Sequence, residues 1–392
     1  MTHRQTSLNR NLVGMRCVRC GVVHPVADYF EGCPACLAIG HPASVAPFYG
    51  NGLTDLDPSR PESWLAYTGG PFLGEGRTPL IGLPRLADEL GVPALAAKYE
   101  GANPTGSHKD RMSALVVQRA LDIGASTVVA ASTGNAGVSL AAYAANAGLH
   151  CVMVTTADMN ANWRRAVEMY GAELIATETA EDRWRLVASK ARDGSWYPVT
   201  NYLTPAVGSN PFGVDGYRAI ALELHAQSGV NPPTDILVPT SRGDIIWGVA
   251  QGYCDLKQAG LVSIIPRVHA VEPFPRITRV SAGEDVRAQF TGSTAMVSLG
   301  GTTVTHQAIE ALRLTGGSAV AVDDVDVLQD QKLFARAGLY LELSSVSSLS
   351  GLRKLLHKGT ISRDARVVLV TTSHGYKEEA RYERPIPITP IN

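Results

Sequence analysis

The chain has 392 residues, with 35 Lys plus Arg against 36 Asp plus Glu and 45% hydrophobic residues. That length suits two or three domains with large buried cores. The charge balance offers no basic surface for nucleic acid or acidic membranes through net charge alone, no apolar run is long enough to span a bilayer, and Met1 to Asn11 has no apolar signal core, so a soluble cytoplasmic protein with no nucleic-acid or membrane partner is expected.

The first pattern along the chain is a pair of cysteine knuckles, Cys17-x-x-Cys20 and Cys33-x-x-Cys36, with twelve residues between them. Four thiolates at this spacing suit a tetrahedral zinc ion, and they leave no open position for catalysis. Gly21 and Pro34 favour the tight turns that such knuckles need. Disulfides are disfavoured in a reducing cytoplasm. A zinc-ribbon-like module with structural zinc is therefore expected over residues 1–47. Cys151 and Cys254 lie in apolar surroundings and read as core. Asn51-Gly52 and the stretch from Asp55 to Glu62 read as a turn-rich connection.

Strand and helix patterns then alternate. A strand-like run from Leu95 to Glu100 leads into Asn103-Pro104-Thr105-Gly106-Ser107-His108-Lys109-Asp110-Arg111, and a helical run follows from Met112 to Leu121. Buried strands are expected at Ser126 to Ala130, His150 to Thr155, Asp235 to Val238 and Arg366 to Thr371. Helices are expected at Val138 to Ala147, Trp163 to Tyr170, Asp182 to Ala191 and Ile245 to Leu256. Alternation of this kind predicts an α/β fold of parallel sheets covered by helices. Ligands in such folds bind at the carboxyl edge of the strands, and helix N-termini there attract anions. Lys109 sits at such an edge, where an amine can form a Schiff base with a carbonyl cofactor. Ser132 to Gly137 carries two glycines that let backbone N–H groups converge on an anion. Thr240 to Asp244, before an apolar helix, suits a phosphate. Taken singly, each of these segments is equally an ordinary capped turn, and Lys109 an ordinary surface lysine.

Together and in this order, the segments resemble the fold-type II pyridoxal-phosphate enzymes, in particular the threonine synthase-like group. The likeness is carried by Leu73-Gly74-Glu75-Gly76-Arg77-Thr78-Pro79-Leu80, the lysine segment, Ser132-Thr133-Gly134-Asn135-Ala136-Gly137, the segment from Val238 to Asp244, and Thr371-Thr372-Ser373-His374-Gly375. It runs from about Pro71 to Lys377. The resemblance implies two parallel-sheet α/β domains with pyridoxal 5'-phosphate in the cleft between them. The larger domain would comprise residues 48–108 and 201–392, and the smaller residues 109–200. It implies that Lys109 holds the cofactor and takes the α-proton of a small amino-acid substrate, before β- or γ-elimination or replacement. Asn135 would contact the cofactor's phenolic oxygen, and Ser132, Thr133, Gly134 and Asn135 would grip the substrate carboxylate. Thr240, Ser241, Arg242, Gly243 and Asp244 would hold the cofactor phosphate, with His108 contributing. Thr372 or Ser373 would face the pyridine nitrogen and leave it largely unprotonated, which favours elimination and replacement over transamination. A homodimer is the expected assembly. An ammonia-lyase or β-replacement synthase acting on a hydroxy amino acid is the alternative, followed by a catalytically silent zinc-binding regulator.

The chain departs from the family pattern at four places. The phosphate segment is one residue shorter than the usual Gly-Asn-x-Gly and carries Ser241 and Arg242. His108 replaces the usual Phe, as in the tryptophan synthase β family. Glu342-Leu343-Ser344-Ser345 replaces Glu-Pro-x-Ser. In the stretch Gly208 to Arg218, Gly213 stands where an Arg is usual, which weakens the case for a phosphate leaving group. Arg164, Arg165 and Arg218 are candidates to replace it.

Overall fold

Three sheets organise the chain in its computed structural model, which describes residues 7–50, 52–53, 57, 59–68, 73–132 and 134–378. Most of the expected connection around Asp55, and Thr133 of the turn expected to grip a substrate carboxylate, lie outside the described residues. The cysteine-bearing segment contributes β1 (Gly14–Cys17), β2 (Val23–His24), α1 (Pro34–Ala38) and β3 (Val45–Phe48). Next come β4 (Leu80–Gly82), α2 (Pro84–Leu90), β5 (Ala94–Tyr99) and α3 (Lys109–Asp122). A second run comprises β6 (Thr127–Ala131), α4 (Asn135–Ala147), β7 (His150–Thr156), α5 (Ala161–Met169), β8 (Glu173–Thr177), α6 (Ala180–Arg192) and β9 (Tyr197–Pro198). The chain then forms α7 (Pro211–Asp215), α8 (Arg218–Ser228), β10 (Asp235–Pro239), α9 (Asp244–Gln258), β11 (Arg267–Glu272), α10 (Ile277–Ser281) and α11 (His306–Thr315). It closes with β12 (Ala319–Ala321), α12 (Asp324–Arg336), α13 (Leu343–His357) and β13 (Arg366–Thr371).

The larger sheet has the order β12-β11-β10-β13-β5-β4. All its pairings are parallel except that of the short edge strand β4. The central strand β10 is buried along its whole length, as expected of a parallel strand covered on both faces. The second sheet, β8-β7-β6-β9, is parallel throughout. The expected α/β architecture is thus present, and no helix of the described residues is long and apolar enough to cross a membrane.

Register places the motifs. β13 lies between β10 and β5, and Thr371 pairs with Tyr99 at the carboxyl ends. The pairing extends past the strands through a bridge between Ser107 and Ser373. The segments after β5, β10 and β13 therefore leave the same sheet edge side by side, and the one after β6 leaves the corresponding edge of the second sheet. β13 matches its expected bounds at both ends. The helices start earlier than their apolar periodicity indicates: α3 at Lys109, α4 at Asn135, α9 at Asp244. Periodicity marks the buried face of a helix, whereas each of these helices opens on a polar residue, Lys109, Asn135 or Asp244. The motif residues are thus the first helical residues, held at N-termini where unpaired N–H groups gather.

The β1–β3 segment forms an antiparallel sheet in the order β2-β1-β3. It shares one apolar core with the rest of the chain, running from Met15 and Val45 to Phe212 and Met112. Two polar clamps reinforce this junction. Tyr49 donates to Asp215 at 2.8 Å, and Asp28 accepts from both Arg119 and Tyr197 at 2.8 Å.

Candidate active site

Lys109 lies at the floor of a cleft of about 530 Å³ walled by both sheets. Gly106 permits the turn before it: φ is 81°, and a Cβ there would sit 2.1 Å from the ring of His374. The Lys109 ammonium donates to the hydroxyl of the buried Tyr217 at 3.2 Å. Burial pulls the amine's pKa down and Arg242 adds to this, while Asp244 and Glu342 oppose it. A lowered pKa raises the neutral, nucleophilic fraction of the amine at neutral pH. Burial also holds the Tyr217 phenol well above its usual pKa, so it stays a neutral hydroxyl.

His108, the residue before α3, sits 3.2 Å by Nδ1 from the carbonyl oxygen of Thr372. Only the ring can donate there, which fixes Nδ1 as the protonated nitrogen. Burial and the neighbouring Lys109 hold His108 well below its ordinary pKa, hence neutral. Thr372 lines the cleft, its hydroxyl 2.9 Å from that of Ser345. Ser373 does not line the cleft: its hydroxyl is turned away and donates to the Gly106 carbonyl at 2.9 Å.

Across the cleft, Asn135 is the first residue of α4. Its Nδ2 donates to Glu342 at 2.8 Å, and its Oδ1 is buried without a partner. Ser298 also donates to Glu342. The Ser132 hydroxyl accepts from the Gly134 N–H at 3.2 Å, and Gly134 rests on Trp163, whose ring would lie 3.3 Å from a Cβ at that position.

The turn between β10 and α9 is built for close approach. Gly243 has φ 139°, and a Cβ there would sit 2.6 Å from the Ala308 nitrogen. No side chain caps α9, so its first N–H groups are available to an anion. Ser241, Arg242 and Gly243 line the cleft, but Thr240 does not, because its hydroxyl is spent on the Val238 carbonyl at 2.7 Å. Asp244 is turned to Ser209, accepting from its N–H and hydroxyl. Arg242 donates to Thr303 at 3.0 Å and makes no ion pair with the described residues. The half-buried Lys109 amine, the uncapped α9 turn and a guanidinium without an ion pair among the described residues together fit a phosphate-bearing aromatic aldehyde.

The departure at residue 213 has a different meaning in three dimensions. Gly213 is buried, and its Cβ would point at Met112 and Val116 of α3, 2.8 and 3.3 Å away. A side chain there would enter the core rather than the cleft. Arg218 is no substitute either, because it is buried in ion pairs with Asp215 and Asp255. Arg164 is exposed and paired with Glu168, and Arg165 is exposed on α5.

Sequence reasoning passed over Arg183, Trp163 and Trp184, and named Tyr217 only as part of the stretch Gly208 to Arg218 without a role; tertiary packing brings all four to the site. Sequence reasoning also missed a buried network behind Lys109. Arg111 pairs with Glu100 at 2.7 Å and Glu223 at 2.6 Å, and Lys98 pairs with Glu223 at 2.6 Å. The Gly76-Arg77-Thr78 segment joins through Thr78, whose hydroxyl donates to Glu100, and through the Arg77 N–H, which donates to Glu223.

The four cysteine sulfurs of the knuckles gather within 4.8 Å of one another. Cys17 and Cys36 are 3.6 Å apart by sulfur, and Cys20 and Cys33 3.8 Å. A tetrahedron with metal–sulfur bonds of about 2.3 Å has sulfur–sulfur edges of about 3.8 Å. The donor set and its spacing fit a zinc ion. His24 Nε2 lies 3.2 Å from the Cys33 sulfur, outside this set of four.

A model of the pyridoxal-phosphate dependent enzyme family matches residues 71–373. Threonine synthase from Methanocaldococcus jannaschii is 34% identical over 316 residues, covering 78% of this chain and 76% of that protein. Threonine synthase from Bacillus sp. (strain ULM1) is 34% identical over 310 residues, covering 78% and 84%. Among solved structures, a fungal L-serine ammonia-lyase from Rhizomucor miehei superimposes with a TM-score of 0.65 at 24% identity, covering 76% of this chain and 94% of that one.

Proposed function

Because the chain belongs to the pyridoxal-phosphate dependent enzyme family, we propose that it is an amino-acid lyase or synthase of the threonine synthase-like group, in which Lys109 holds the cofactor and removes the substrate α-proton. The observation that carries this reading is the half-buried Lys109 amine, its pKa lowered, facing Asn135 and Thr372 across one cleft at the strand ends. When bound, the cofactor supplies the electron sink that acidifies the α-proton. Ser241, Arg242, Gly243 and the N-terminus of α9 hold its phosphate. Asn135 meets its phenolic oxygen, and Thr372 rather than Ser373 meets its ring nitrogen. The turn at Ser132, Gly134 and Asn135 takes the substrate carboxylate through backbone N–H groups. With the cofactor bound, Lys109 would serve as general base on the substrate α-proton, and a group at Cβ or Cγ would leave or be replaced. Tyr217 orients the Lys109 amine.

The four-stranded sheet between Thr127 and Pro198 supports a smaller domain over residues 109–200, with residues 48–108 and 201–392 forming the larger. Cys17, Cys20, Cys33 and Cys36 hold one structural zinc in a ribbon-like module over residues 1–47. This requires a reducing, cytoplasmic setting in which the thiols stay available.

The test is direct. Purified protein should absorb in the visible range, and borohydride reduction with peptide mapping should place the pyridoxyl group on Lys109. Lys109→Ala should abolish the signal. Lys377 is the internal control, since burial brings this second enclosed amine down to about 8. Label on Lys377, or colourless protein after incubation with the cofactor, would overturn the assignment.

A further inference from the structure

Glu342 stands immediately before α13 and is 1% exposed. Among the described residues it forms no ion pair. Its carboxylate is held by neutral donors instead: Oε2 accepts from Asn135 Nδ2 at 2.8 Å, and Oε1 accepts from the Ser298 hydroxyl. The buried amines of Lys109 and Lys377 balance its charge from farther off; burial lowers the pKa of both, and Glu342 opposes that. Asn135 follows β6 of the second sheet, whereas α13 packs on β10 and β13 of the larger one. Asn135 and Ser298 line the cleft, and Glu342 lies behind them.

Burying a carboxylate without a close cation is costly, and a neutral acceptor could also receive both bonds. What a carboxylate adds is that it only accepts. An asparagine amide fits the same space either way round, with its NH2 or its oxygen toward a given neighbour. Glu342 removes that choice. With the amide turned over, Asn135 Oδ1 would stand where Nδ2 now lies, 2.8 Å from a carboxylate oxygen, acceptor against acceptor. Oδ1 itself is buried without a partner, so the amide is set from its nitrogen side. The bond that sets it is charge-assisted, and Ser298 on the other oxygen keeps the carboxylate in place. Glu342 takes one of the two Nδ2 hydrogens. Ser298 stands 3.4 Å from the same nitrogen, beyond the usual range of a firm N–H···O bond. The second hydrogen is therefore left for the cleft.

We propose that Glu342 is a positioning residue that acts through Asn135, turning its amide so that an N–H rather than the oxygen meets the phenolic oxygen of the cofactor. The proposal rests on the function given above. A donor facing that oxygen favours its anionic form, which absorbs at longer wavelength than the protonated form.

The test reads the holoenzyme by the ratio of visible to near-ultraviolet cofactor absorbance at neutral pH, and by titration with pyridoxal 5'-phosphate. Asn135→Ala should lower the ratio and weaken the cofactor about ten-fold. Glu342→Ala should reproduce both changes to within about two-fold, and the double variant should lose little more than either single one, because the two residues act as a unit. Glu342→Gln keeps the size of the side chain but donates as well as accepts, which reopens the choice for Asn135. Its ratio should fall between those of Glu342→Ala and the natural protein, and it carries the test where the smaller residue does not fold. A residue that merely held α13 in place would lower the melting temperature on replacement and leave the ratio of the folded holoenzyme unchanged. An unchanged ratio in Glu342→Ala or Glu342→Gln would overturn the proposal, as would additive losses in the double variant. A protein that binds no cofactor on Lys109 sinks the underlying function, whereas cofactor on Lys109 with an unchanged ratio sinks only the role of Glu342.

Discussion

Glu223→Gln tests the buried network that anchors α3, the helix that begins at Lys109. Glu223 accepts four hydrogen bonds: from Arg111 Nη1 at 2.6 Å and Nη2 at 2.8 Å, from Lys98 at 2.6 Å and from the Arg77 N–H at 2.8 Å. The Lys98 ammonium gives its three donors to Glu223, the Thr78 carbonyl and Gln227. Burial pulls Lys98 down while Glu223 and Glu100 hold it up, and this full complement of acceptors keeps it protonated. The network is neutral as built, with Lys98 and Arg111 against Glu100 and Glu223. Glutamine leaves one buried positive charge uncompensated, at a cost of about 3–5 kcal/mol. A second route gives a similar figure. Despite its burial, Glu223 is held at about 2 instead of 4.5 by Arg111 and Lys98, and a difference of that size contributes roughly 3 kcal/mol of stability at neutral pH. The sign follows from the lowered pKa. This stability is complete above about pH 4.5 and is lost as the pH falls toward 2. Urea unfolding at pH 7 should therefore show Glu223→Gln less stable by about 3 kcal/mol, and the gap should narrow as the pH falls from 4.5. A deficit below about 1 kcal/mol at pH 7, or one that does not narrow in acid, would falsify the account.

Three further outcomes are expected. Tyr217→Phe should keep the cofactor yet lower turnover about ten-fold or more, because the Lys109 amine loses a hydrogen bond that orients it; near-normal turnover would deny Tyr217 that role. Metal analysis should find one zinc per chain, and its removal should lower the melting temperature, since the knuckles share a core with Phe212 and Met112. Zinc-free protein with four titratable thiols and unchanged melting would contradict that. Gly216→Ala would place a Cβ 2.1 Å from the Arg111 carbonyl oxygen, where backbone cannot yield. It should cost about 1–3 kcal/mol in chemical denaturation, and a neutral result would show that α7 and α3 can part without penalty.

Local chemistry in the sequence was enough for five strands, β5, β6, β7, β10 and β13, and for the motif order and the family likeness, while β4, β8, β9, β11 and β12 were not read from it. Apolar runs such as Arg366–Thr371 fix a buried strand wherever they fall, and the expected bounds match β13. A lysine among Gly, Pro and Ser between a strand and a helix marks a ligand edge in parallel folds. Cysteine spacing identified four residues whose sulfurs do converge. Tertiary structure alone decided which of the neighbouring candidates face the cleft. Thr372 and Ser373 are adjacent in sequence, yet the Ser107–Ser373 bridge turns the Ser373 hydroxyl toward Gly106 and leaves Thr372 on the cleft wall. Gly213 read as a substrate position, yet packing against Met112 removes it from the site. Arg183 carried no motif, and Tyr217, although it lies within the stretch Gly208 to Arg218, gave no local sign that its hydroxyl meets the Lys109 amine. Those contacts join residues over 100 positions apart, as between Lys109 and Tyr217. They are set by how the two sheets pack, which no local pattern encodes.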